Sequence, residues 1–157
     1  IAREFNAAIN GNDLFAEFTS DVTRSNRLRR DIWMFQQILR AFIAKARDSM
    51  GVVDHWAGTD TFRYVRTFVT YFRSMGYQLL RYSDYAHFDR FIMLIDRLRD
   101  EDALEVQRLP VVIAECEDFY AYLTAMFDNV SLREELKGIP FDRQDAAATL
   151  KLFLGAT

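Results

Sequence analysis

Between Gly11 and Gly51 the chain contains neither glycine nor proline, and its core-type positions recur in a fixed rhythm. They run Leu14, Phe18, Val22, Ser25, Leu28, Ile32, Phe35, Leu39, Phe42 and Ala46, with steps of three and four in alternation from Ser25 onward. Strand alternation would need a step of two; this spacing makes a seam along one side of a helix. Arg27, Arg29, Arg30, Arg40, Lys45 and Arg47 fall off the seam. The rhythm predicts one helix over about 13–49, roughly 55 Å long at 1.5 Å per residue. A rod of that length with one apolar side is buried best by other rods, which points to an all-α bundle.

The rest of the chain supplies the other rods. Residues 2–9 have helical composition and stop at Asn10-Gly11. Gly51 to Thr59 reads as a loop, after which Thr59 or Asp60 caps a helix over Phe62 to Arg81. Phe62, Val65, Val69, Phe72 and Leu79 form one apolar stripe there, with Phe68, Tyr71 and Met75 beside it. Gly76 on this face is expected to admit a close neighbour. Near Ser83 the register changes to Tyr85, Phe88, Phe91, Ile92, Ile95 and Leu98, so a new helix is expected from 84 to about 101. One kinked helix over 60–101 is the alternative. Pro110 suits the first turn of a further helix that continues through Val111, Ala114, Phe119 and Met126. Ser131 and Glu134 match a capping box, and Asp142 caps a final helix over Arg143 to Leu154. The expected architecture is a mainly antiparallel bundle of about five principal helices, plus short ones, organised on the long helix 13–49.

At 157 residues the chain is expected to form a single helical domain over 1–157, and its start at Ile1 suggests a piece of a longer protein. Six Gly and two Pro are too few for a turn-rich β-sandwich or barrel. A net charge of −3 disfavours a nucleic-acid binder. No window approaches the roughly 18 apolar residues of a membrane span, so no membrane partner is expected. With Cys116 as the one cysteine, an internal disulfide and a cysteine-rich zinc site are both impossible, and a cytoplasmic setting is favoured.

Charge is sorted between helices. Residues 61–82 carry Arg63, Arg66, Arg73 and Arg81 with no acid before position 82, whereas 109–132 carry Glu115, Glu117, Asp118 and Asp128 with no base. The simplest expectation is that these two helices are neighbours. A second reading makes the face of Arg63, Arg66, Thr70, Arg73 and Tyr77 an anion site. In that reading Arg63, Arg66, Arg73, Tyr64, Tyr71 and Tyr77 are the ligand- or partner-binding residues. Ten aromatic residues lie between Phe62 and Phe91, enough either for a ring-filled core or for an aromatic pocket between helices.

Catalytic chemistry finds little foothold. No Gly-x-Ser-x-Gly, phosphate-binding glycine loop or His-Glu-x-x-His spacing occurs, and the acids beside Cys116 would raise its thiol pKa rather than activate it. No catalytic residue, metal or cofactor is expected. His55 and His87 allow a more distant haem-binding, globin-like sensor, although His55 falls in the loop. The expected role is a non-enzymatic helical interaction or regulatory domain that binds a protein partner or associates with itself. A small-molecule-sensing effector domain, with an acidic or aromatic ligand among residues 62–91, is the alternative.

Overall fold

A computed structural model describes residues 21–48, 60–77, 82–100 and 109–156, and the statements below concern these. The helix over 2–9, the Leu14–Phe18 end of the seam, the loop carrying His55, Leu79 and Arg81, and the 101–107 joint lie outside them. Five α-helices are seen: α1 (Asp21–Asp48), α2 (Asp60–Ser74), α3 (Tyr82–Asp100), α4 (Leu109–Ser131) and α5 (Arg143–Ala156). A 3-10 turn spans Glu134–Leu136, and no strand occurs among the described residues. The chain is an all-α helical bundle. It divides into two compact units, residues 36–122 and residues 1–35 with 123–157.

In the unit of residues 36–122, contacts run in a ring around four helices. Phe42 of α1 meets Phe62 of α2 at 5.8 Å between ring centroids, and Phe72 of α2 meets Phe88 of α3 at 5.2 Å. Phe91 of α3 lies flat on Phe119 of α4 at 4.1 Å. Arg47 of α1 and Glu117 of α4 close the ring with an ion pair at 2.6 Å. His87 stacks on Tyr122 while Arg90 reaches Glu115, so residue numbers rise on α3 as they fall on α4 and the pair is antiparallel. Phe62, Phe68, Tyr71 and Phe72 are all at most 2% exposed, and such rings each remove a large apolar area from water.

Residues 60–100 form two helices, and α2 stops earlier than its apolar pattern predicts. The Met75 and Gly76 amides still bond back to the Tyr71 and Arg73 carbonyls, at 3.2 Å each. Gly76 then turns left-handed at φ +55°, where a side chain is strained, and this ends the helix. A Cβ at Gly76 would meet nothing within 4 Å, so the glycine serves the backbone and not the expected close approach of a neighbour. Tyr77 folds back beyond it and packs on Phe72 at 5.4 Å. At the other junction α3 already begins at Tyr82, which puts Ser83 inside its first turn rather than at its cap.

The other unit contains residues 21–35 of α1, the end of α4, the 3-10 turn and α5. Ser25, Leu28, Ile32 and Phe35 on the seam are fully buried, as expected. Arg29, placed off the seam, is nevertheless only 2% exposed. Its guanidinium donates to the Ile139 carbonyl at 3.1 Å, the Pro140 carbonyl at 3.4 Å and the Asn26 side-chain oxygen at 2.7 Å. The same group lies 5.6 Å from the Phe141 ring centre. Ser25 donates to Glu135 at 2.7 Å, and Arg133 donates to the Ser25 hydroxyl at 3.4 Å. The expected capping box does not form. Ser131 is the last residue of α4, its buried hydroxyl has no hydrogen-bond partner, and the 3-10 turn has no side-chain cap. Asp142 does cap α5, accepting from the Asp145 amide at 3.0 Å.

Candidate functional site

The six residues expected to bind a ligand or partner are separated by burial. Arg63, Arg66 and Arg73 do share α2, but Tyr71 is fully buried and Tyr77 is 5% exposed, in the core and beyond the helix end. Arg63 bonds to Asp60 at 3.1 Å and lies over the half-buried Tyr64 ring, and Arg66 lies over Phe62. Arg73 is exposed. Tyr71 and Tyr77 are therefore core residues, and described rings of 62–91 pack on one another (Phe72 with both Phe68 and Phe88).

The acids of α4 are paired elsewhere than expected. Glu117 meets Arg47 of α1, and Glu115 meets Arg90 of α3 at 3.4 Å. Among the described residues no ion pair joins the arginines of α2 to these acids.

Two clefts border α4 instead. The first, of about 240 Å³, is lined by His87, Arg90 and Phe91 of α3 and by Glu115, Asp118 and Phe119 of α4. Its floor is the stacked Phe91–Phe119 pair, and the exposed His87 ring lies flat on Tyr122 at 4.5 Å. Along the same edge stand Met93, 64% exposed, and Val111, 62% exposed. Met93 is one turn from Arg90, and Val111 one turn from Glu115, so both share the side on which α3 and α4 pair their charges. The second cleft, of about 370 Å³, lies between α1 and α4 and is lined by Arg40, Ile43, Ala44, Arg47, Glu117 and Tyr120.

Neither cleft holds an activated nucleophile. Cys116 is fully buried on α4, and burial, reinforced by Glu115 and Glu117, pushes its thiol up to about 12. Among the described residues no group of three or more His, Cys, Asp or Glu side chains could hold a metal ion, and no helix is long and apolar enough to cross a membrane.

These surface residues were hidden from pattern reading for a simple reason. Val111 and Ala114 belong to the apolar run by which the helix is read, yet both are exposed. Met93 falls between stripe positions Ile92 and Ile95. Arg40 and Arg47 lie off the seam, and a separation of seven residues places them on one face. Comparisons with protein-family models, with curated proteins and with solved structures found no match.

Proposed function

We propose that this chain is a non-enzymatic helical interaction module that associates with a second copy of itself through the edge formed by α3 and α4. The supporting observation is the exposed Met93–Val111 pair, set between a basic helix edge and an acidic one. Arg90 and Arg97 stand exposed on α3, while Asp118 and the half-exposed Glu115 stand on α4. A two-fold axis through the apolar pair lays α3 of one copy against α4 of the other. Each basic edge then meets an acidic edge, as the self-complementary interface of a symmetric dimer requires. The internal Arg90–Glu115 pair is long and exposed, worth at most about 1 kcal/mol, and is readily exchanged for contacts across such an interface.

Sedimentation or light scattering at about 100 μM chain tests the proposal, since an association with Kd near 10 μM is then mostly formed. The wild type is expected to exceed monomer mass. Met93→Asp with Val111→Asp is expected to return it to monomer while the helical signal and Tm stay unchanged, because both side chains are already in water. A monomeric wild type at that concentration, or a double variant that still associates, removes the proposal.

A further inference from the structure

The cleft between α1 and α4 has the size and chemistry of a small-ligand site. Its volume of about 370 Å³ lies within the range of roughly 300–1,000 Å³ typical of such sites. On α1, Arg40 and Arg47 stand at its two ends, with Ile43 and Ala44 between them on the same face. On α4, Glu117 and Tyr120 form the opposite wall. The two guanidinium groups are not equivalent. Arg47 donates to Glu117 at 2.6 Å and is thereby oriented, whereas Arg40 is exposed and makes no hydrogen bond or ion pair among the described residues. Among the described residues that line it, two cations stand against one carboxylate, a surplus of one positive charge beside Ile43 and Ala44.

We infer that this cleft binds a small amphipathic monocarboxylate. The carboxylate accepts hydrogen bonds from Arg40, and the hydrocarbon lies over Ile43 and Ala44 against the Tyr120 ring. A single surplus charge matches a monoanion; a phosphate dianion would also be repelled by Glu117. The two arginines are seven residues apart, roughly 10 Å along the helix, about the length of extended octanoate. Arg supplies a planar fork of donors that fits a carboxylate, and such charge-assisted bonds are about twice as strong as neutral ones. The inference does not depend on self-association, whose edge lies between α3 and α4.

Octanoate and its uncharged counterpart octanamide are the probes. In a titration followed by amide resonances, octanoate is expected to shift Ile43, Ala44 and Tyr120 saturably. For a ligand of this size the Kd should be on the order of 1 mM. Octanamide is expected to bind about tenfold more weakly, and Arg40→Gln to weaken octanoate binding by a similar factor with Tm unchanged. Running the titration on Met93→Asp as well separates this result from any change in association. The site is disproved by equal binding of the amide and the acid, by unaltered affinity in Arg40→Gln, by shifts confined to other residues, or by none at about 10 mM octanoate. Shifts of Ile43, Ala44 and Tyr120 on adding a Glu-rich peptide, with none on adding octanoate, would make the occupant a protein segment and also overturn the inference.

Discussion

At the scale of single residues, burial decides what the polar groups can do. Cys116 illustrates it. With its pKa pushed up to about 12, the buried thiol keeps its proton at pH 8. Iodoacetamide at pH 8 is therefore expected to leave the folded chain unmodified and to label Cys116 fully in denaturant, as read by mass spectrometry. The same shift fixes the sign of a pH effect. An unfolded thiol loses its proton near pH 8.5 while the folded one keeps it, so stability due to this group falls as pH rises from about 8.5 towards 12. Cys116→Ala is expected to lose that slope, and parallel denaturation curves for the two chains across this range would refute the assignment. Glu135 behaves in the opposite sense. The Ser25 hydroxyl holds its carboxyl below the usual range, so its contribution is present at neutral pH and lost as acid protonates it. Arg29 is different again, since burial lowers its pKa and its acceptors are all neutral oxygens. It serves as a donor to the carbonyls of Ile139 and Pro140 and not as half of an ion pair.

Helices end where the backbone demands it, and glycines show the two cases. Gly76 is left-handed, so Gly76→Ala is expected to cost about 1 kcal/mol although nothing crowds the added methyl. Gly155 lies inside α5 with equally open space and no positive φ, so Gly155→Ala is expected to gain about 0.5 kcal/mol. Urea denaturation of the two variants checks the contrast; a shift of both in one direction would contradict it. Spacing alone made the helices legible, because stripes such as Leu28–Ile32–Phe35 are read directly from period and step. Their ends were less legible. The pattern over 62–81 shows no break at Gly76, since Tyr77 and Leu79 continue the apolar composition past the point where the backbone turns. Ser131 and Glu134 have the residue types of a capping box, but α4 runs through Ser131 and leaves no helix start for it to cap. Local signatures state what a segment can do, and the length of the preceding helix decides whether it does so.

For the whole molecule, the arrangement of helices governs which charges meet. That α2 is basic and α4 acidic is visible in the sequence, but the partners of the α4 acids, Arg47 of α1 and Arg90 of α3, are not, because they depend on which helices flank α4. The candidate site was equally hidden. Exposure of Met93 and Val111, and the convergence of Arg40 with Tyr120, follow from which face of each helix is covered. A charge-exchange experiment belongs at this scale. Arg90→Glu is expected to abolish self-association by setting acid against acid across the two-fold axis, and Arg90→Glu with Glu115→Arg to restore it. Failure of the double exchange, with both chains folded by circular dichroism, would show that the edge does not pair as proposed. Trp33 lies 6.0 Å from Phe141, the ring that also covers Arg29 and meets Phe127 edge-on. The chain carries a second indole at Trp56, so in a Trp56→Phe variant the colour of the Trp33 emission reports, without any attached dye, whether the 132–142 strap is seated.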